Sequence, residues 1–239
     1  MKPIHHYDTI TVAYVTVLLA SNVASSAKIV DWGVSVFGLP LAFDAGTLLF
    51  PVSYVFGDIL TEVYGYRRTR RVIWSGFGAA ATLSALLWVV GVLPGEAAWQ
   101  SSAGDAAYRA ILGGISSGGI VLASLMAYLG GEFSNSYVLA RMKVRMRGRR
   151  LWMRTIGSTL VGQAVDTGLF VLVACALGVF PWQIALTLIV SNYLFKVAVE
   201  ALMTPATYAA VGYLKRSEGV DHYDTDTDFN PFRAGIERR

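Results

Sequence analysis

Residues 50–71 read Phe50-Pro51-Val52-Ser53-Tyr54-Val55-Phe56-Gly57-Asp58-Ile59-Leu60-Thr61-Glu62-Val63-Tyr64-Gly65-Tyr66-Arg67-Arg68-Thr69-Arg70-Arg71. A largely apolar run of membrane-span length carries two carboxylates and then stops at four arginines. A carboxylate near the centre of a spanning helix costs about 2.5–3.5 kcal/mol on insertion scales, so such residues face a cavity or a partner. Asp58 and Glu62 stand four residues apart and share one face of a helix. Two acids aimed at one place inside a membrane point to a polar solute.

Outward from this stretch the composition supports the same reading. Hydrophobic residues form 54% of the 239-residue chain and charged residues only 15%, with a mean hydropathy of +0.50. A soluble chain of this length spreads its apolar residues in short periodic stretches. Here they come in blocks of about 20, the length that crosses roughly 30 Å of hydrocarbon. The single cysteine, Cys175, lies inside such a block, where it forms no intrachain disulfide and reads as a small buried residue. The N-terminus does not read as a signal peptide, because Lys2 is the only early base and the apolar run is too long for an h-region.

Six hydrophobic segments are expected, near 9–29, 46–66, 72–93, 115–140, 155–178 and 183–213. The chain is therefore expected to be all-α and polytopic, with a six-helix domain over 1–216 and a polar tail over 217–239. Arginine and lysine cluster at 67–71, at 141–154 and after the sixth segment at Lys215 and Arg216. With the termini on that same side, all of the 20 Lys and Arg fall there except Lys28, Arg109 and Lys196. The asymmetry follows the positive-inside rule and predicts two cytoplasmic termini. The net charge of +4 reads as topology and contact with anionic lipid. Nucleic-acid binding would need a soluble basic domain, and none is visible. The stretch 95–109 is expected to form an interfacial helix on the outer side. The tail, with Asp221, Asp224, Asp226 and Asp228, lacks the glycine and closing glutamate of a calcium loop, so it is expected to be solvated or docked.

Polar residues recur at mid-depth in every expected span but the third. Ser21 and Asn22 lie in the first, and Asp58 and Glu62 in the second. Glu132, Ser134, Asn135 and Ser136 follow Gly130-Gly131 in the fourth, and Gln163 and Asp166 lie in the fifth. Asn192, Lys196 and Glu200 form one stripe of the sixth. Lys196 and Glu200 are placed to pair along their helix, which leaves a surplus of acids. Unpartnered buried carboxylates become neutral or await a cation, and either suits transport. Pro51, Gly57, Gly130-Gly131 and Pro205 suggest helix breaks lining a cavity. Gly114 and Gly118, like Ala20 and Ala24, have the spacing of close helix packing.

Several chemistries are missing from the sequence. It has no G-x-x-x-x-G-K-[ST] phosphate loop, so ATP does not drive transport on this chain itself. The H-E-x-x-H zinc pair is absent, and His5, His6 and His222 lie outside the spans. No G-x-S-x-G elbow occurs. No cofactor, metal or enzymatic activity is expected, and an intramembrane enzyme is the weaker rival reading.

Four stretches carry a resemblance: Ser21-Asn22-Val23 through Lys28-Ile29-Val30, the block 50–71 centred on Gly-Asp-Ile-Leu-Thr-Glu-Val-Tyr-Gly-Tyr, Gly131-Glu132-Phe133-Ser134-Asn135-Ser136, and Phe229-Asn230-Pro231-Phe232. Over essentially the whole chain it resembles the bacterial queuosine precursor transporters. The resemblance implies inner-membrane uptake of 7-cyano-7-deazaguanine and 7-aminomethyl-7-deazaguanine for queuosine synthesis in tRNA. These proteins are also similar in size to the binding subunits of vitamin uptake systems, which need an ATPase partner. Such a subunit is the rival transporter reading.

A 7-deazaguanine presents N1–H and NH2 side by side, which one carboxylate accepts together. Glu132 or Asp58 is the expected clamp, with Asp166 and Glu62 next. Asn22, Asn135, Gln163 and Lys196 are candidate donors to O6 and N3, and Asn192 shares the Lys196 stripe. Tyr54, Phe56, Phe133 and Tyr193 are candidate aromatic walls. A homodimer through the clean third span, or through the glycine-rich start of the fourth, fits the pattern.

Overall fold

Gly65 is the one residue between helix α2 (Gly46–Tyr64) and helix α3 (Tyr66–Val92). Its φ of +86° lies in the region that favours glycine. A Cβ there would sit 2.1 Å from Cδ2 of His222, so the position is also closed sterically. With no loop between the helices, the arginines of 67–71 form the opening turns of α3. The computed structural model describes residues 5–36, 39–116 and 118–233. Lys2, Arg238 and Arg239, which the charge asymmetry counts on the basic side, lie outside the described residues.

The elements run as α1 (Tyr7–Ala27), strands β1 (Ile29–Val36) and β2 (Leu39–Asp44), then α2, α3, α4 (Ala97–Ser102), α5 (Gly104–Ser116), α6 (Gly118–Arg145), α7 (Leu151–Ala176), a 3-10 turn at Trp182–Ile184, and α8 (Ala185–Glu218). The strands pair antiparallel, from Ile29 with Asp44 to Val36 with Leu39, across an irregularity between Asp31 and Ser35. This hairpin occupies the stretch between the first two expected spans. The expected interfacial helix over 95–109 is two helices, α4 and the start of α5. Glu96 caps the first by accepting from the Trp99 amide at 2.8 Å.

The fold is an all-α membrane domain with one small hairpin. Among the described residues, five helical stretches are long and apolar enough to cross a membrane: Tyr7–Ala27, Tyr66–Val92, Gly104–Arg145, Leu151–Ala176 and Trp182–Glu218. Helix α2 is not among them, and its surroundings explain why. It packs against α1, α3, α6 and α8, and nearly all of its residues from Ser53 to Tyr64 are buried. A helix wrapped by protein need not be lipid-like in sequence. Its apolar residues Val55, Ile59, Leu60 and Val63 join Tyr14 and Leu18 of α1, Val72 and Ile73 of α3, Tyr128 of α6 and Val211 and Leu214 of α8 in the core.

Helices α6 and α7 form the most extensive helix pair, and glycines bring them together. A Cβ at Gly130 would meet Leu169 at 2.4 Å, one at Gly131 would meet the Asp166 Cβ at 2.6 Å, and one at Gly162 would meet the Asn135 Cβ at 2.7 Å. Small residues of this kind let membrane helices approach closely. Gly130-Gly131 thus do not break the helix, which runs unbroken past them. Pro51 and Pro205 likewise sit inside continuous helices. Gly114 and Gly118 fall on α5 and at the start of α6, so they do not form one packing face. Gly114 lies against Ser26 of α1. Cys175 is buried with Val171 and Ala185.

Candidate functional site

The helices enclose a cavity of about 150 Å³, roughly ten times what one water molecule needs. Every long helix contributes to its wall: Asn22 and Ser25 from α1, Ser53 and Tyr54 from α2, Ser84 from α3, Ser124 and Glu132 from α6, Asp166 and Thr167 from α7, and Asn192 and Lys196 from α8. Phe50, Tyr128 and Phe170 supply aromatic surface.

Glu132 is the distinctive group of this wall. It is buried, and neither carboxylate oxygen has a hydrogen-bond partner among the described residues. Gly57 makes room for it, since a Cβ there would stand 3.0 Å from Oε2. The Tyr14 hydroxyl lies nearby but is engaged with the Tyr128 hydroxyl at 2.8 Å, and Tyr128 donates to the Ile73 carbonyl at 3.0 Å. Asp166 differs, because Lys196 Nζ holds it at 2.7 Å. The Lys196 ammonium also lies 5.5 Å from the Phe50 ring centroid, a cation–π distance. Lys196 therefore makes its salt bridge across to α7, not along α8 to Glu200 as expected. Asn22 donates to the Leu18 carbonyl at 2.8 Å and accepts from Ser124 at 3.4 Å. The buried Tyr54 hydroxyl has no partner among the described residues.

Of the residues singled out in the sequence, Asn22, Tyr54, Glu132, Asp166, Asn192 and Lys196 share this wall. Asp58, Glu62, Phe133, Asn135 and Gln163 do not line it. Asp58 is buried and accepts from Asn135 Nδ2 at 2.8 Å. Gln163 donates to Glu200 at 3.3 Å, and Thr159 donates to the other Glu200 oxygen at 2.5 Å. Phe133 packs against the rings of Tyr66 and Trp74. Of the other aromatic candidates, Phe56 joins the core and Tyr193 donates to the Leu160 carbonyl.

Glu62 belongs to a different centre. It is fully buried, with Lys215 at 2.6 Å, Arg154 at 2.7 Å and Lys143 at 3.7 Å. Lys143 also binds the carbonyls of Glu62 and His222, and Asp221 completes the cluster by accepting from Lys143 at 2.5 Å. These bases look like loop charges in the sequence. In the structure Lys143 and Arg154 are each 1% exposed, so Glu62 is neutralised from outside the spans, while Asp58, Glu132 and Glu200 have no salt bridge among the described residues.

The cavity can accept hydrogen-bond donors at Glu132, offer donors from Lys196 and the hydroxyls, and stack a flat ring on an aromatic wall. Serine, threonine and Phe50 positions on the wall were missed in the sequence, since small hydroxyl residues in membrane helices carry no distinctive spacing. Among the described residues no group of three or more His, Cys, Asp or Glu is placed to hold a metal.

The family model described as "Putative vitamin uptake transporter" matches residues 44–210, which include most of the cavity wall. The chain is 32% identical over 186 residues to the "Probable queuosine precursor transporter" of Bacillus subtilis (strain 168), covering 77% of this chain and 78% of that protein. It is 27% identical over 152 residues to the "Queuosine precursor transporter" of Escherichia coli (strain K12), covering 64% of this chain and 63% of the relative. No solved structure matches it. Taken with the multi-pass helical architecture, these similarities show that the chain belongs to the queuosine precursor transporter family.

Proposed function

We propose that this protein imports queuosine precursors, 7-cyano-7-deazaguanine and 7-aminomethyl-7-deazaguanine, across the inner membrane through the cavity beside Glu132. The observation that carries the proposal is a buried carboxylate with no partner among the described residues, on the wall of a solute-sized cavity. The N1–H and exocyclic NH2 of a deazaguanine would donate to its two oxygens. Lys196 and the Tyr54 hydroxyl stand ready to donate to O6 and N3, and Phe50, Tyr54 and Phe170 offer surface for the ring. In the aminomethyl form the ligand's ammonium would compete with Lys196 for Asp166.

In this reading α2 traverses the membrane inside its shell of helices and makes the sixth span. Both termini and the arginine-rich end then face the cytoplasm. The exposed apolar side chains Leu86, Trp88, Val89, Val90 and Val92 at the end of α3 face lipid or a second copy.

The test is accumulation of labelled precursor in cells that neither make nor import it, with queuosine in tRNA as the second readout. Rescue by this chain alone supports solo import. No rescue despite confirmed insertion argues against the named solutes. The family description favours one alternative, a vitamin-type binding subunit. Rescue that appears only with an ATPase partner would decide for it.

A further inference from the structure

Below the cavity wall lie two more acids that solute binding does not use. Asp58 on α2 and Glu200 on α8 are 2% and 4% exposed, neither lines the cavity, and each lies within Coulombic reach of the other. Their hydrogen bonds come from neutral groups: Asn135 to Asp58 at 2.8 Å, and Thr159 and Gln163 to Glu200 at 2.5 and 3.3 Å. No cation bridges either acid among the described residues.

The surrounding charges do not change this. Glu62 and Glu132 face Asp58 from α2 and α6, and both are acids. Lys196, one turn before Glu200, lies within Coulombic reach of Glu200, but its ammonium is on Asp166. Lys143, Arg154 and Lys215 sit on Glu62.

Two further atoms point to a proton. Asn135 Oδ1 and Gln163 Oε1 belong to side chains that are 0% exposed, and both atoms are without a donor among the described residues. These are the amides whose nitrogens already serve the two acids. An ionised carboxylate only accepts hydrogen bonds, whereas a protonated carboxyl has one O–H to donate. A carboxyl holding a proton supplies the donor that these amide oxygens lack, and it removes an uncompensated charge from the membrane interior.

We propose that Asp58 and Glu200 form a proton-carrying pair, distinct from the solute cavity, that couples solute uptake to a proton gradient. The inference rests on the reading of the cavity as the solute site. The pair shares a proton that enters from the Glu132 side of the cavity and leaves toward the Glu62 cluster. Asp58 lies within Coulombic reach of both Glu132 and Glu62.

The test uses the full chain in proteoliposomes, with neutral 7-cyano-7-deazaguanine as the probe. A gradient of one pH unit, acid outside, sustains up to about tenfold accumulation when one proton travels with each solute. The wild type is expected to approach that ratio and to carry protons inward with the solute. Glu200→Gln is expected to exchange labelled for unlabelled solute yet to hold a ratio near one. Asp58→Asn is expected to lose gradient-driven accumulation as well, and it carries the test alone if Glu200→Gln is not recovered in the membrane. Infrared spectroscopy of the purified protein reads the pair without any solute, as a protonated-carboxyl band that each substitution diminishes.

Wild-type exchange with no response to the gradient overturns the coupling, as does undiminished accumulation by the variants. If the wild type exchanges no probe, the solute reading fails and the infrared band decides. A band unchanged in both variants overturns the proton pair, and a diminished one upholds it.

Discussion

Glu132 and Asp166 both face the cavity, but only Asp166 has an ammonium beside it. Glu132 is therefore the acid free to receive donors from a ligand. A buried donor left without its acceptor costs about 1–3 kcal/mol, so Glu132→Gln is expected to weaken precursor binding about tenfold to a hundredfold. Titration calorimetry on the detergent-solubilised protein, with folding checked by its melting temperature, measures this. Equal affinity in the variant would remove Glu132 from the clamp. Gly57→Ala probes the same atom from behind. Its Cβ would stand 3.0 Å from Glu132 Oε2 and push the carboxylate by a few tenths of an ångström. Alanine also favours a helix over glycine by about 0.8–1 kcal/mol. The expected signature is weaker binding with an unchanged or higher melting temperature, a combination that simple misfolding does not produce.

At the scale of elements, glycines decide how closely the wall of the site is drawn together. A Cβ at Gly131 would fall 2.5 Å from the Tyr54 hydroxyl and 2.6 Å from the Asp166 Cβ. The overpacking typical of such a site costs about 1–3 kcal/mol. Gly131→Ala is thus expected to lower the melting temperature and to widen the gap between α6 and α7, with precursor affinity falling in parallel. Wild-type stability would show that the helices have room to spare. The doublet was visible in the sequence, but its meaning was not. Gly130-Gly131 read as a helix break in the sequence, and only α7 placed against it shows a packing face. The membrane spans were legible because lipid demands long apolar runs. Helix α2 was legible as a helix bearing acids, but its place at the centre of the bundle depends on which helices surround it. The Lys196–Asp166 bridge was hidden for the same reason. Spacing alone favoured Glu200, and only the packing of α7 on α8 offers the alternative.

Across the whole molecule, the basic end is closed by the chain's own tail. The Tyr66 amide donates to Asp224, the Tyr66 hydroxyl to the Phe229 carbonyl, Arg70 to the Asn230 carbonyl at 2.6 Å, and Trp74 to the Pro231 carbonyl at 2.8 Å. Phe229 adds ring contacts to Tyr66 and Tyr137, and the Arg141 guanidinium lies 5.6 Å from its centroid. The sequence showed a polar acidic tail and a basic helix end, but not that one fits the other residue by residue. Asp221 joins them, since Lys143 and Lys215 contact both it and Glu62. Burial pushes the Asp221 carboxyl up, but the two lysines outweigh this and hold it below its ordinary value of 3.8. A depressed carboxyl stabilises docking above that ordinary value and stops doing so as the pH falls through its folded-state value. The tail is therefore expected to stay docked at neutral pH and to loosen below about pH 4. A spin label on Thr225→Cys, in a background with Cys175→Ala, reports this as a mobile line shape that grows on acidification. Asp221→Asn should show the mobile component at neutral pH, because both lysines then lose a charged partner. If its spectrum at neutral pH matches the parent's, the contacts of Asp224, Arg70 and Trp74 hold the tail without Asp221, and the acid-dependent release must vanish with it.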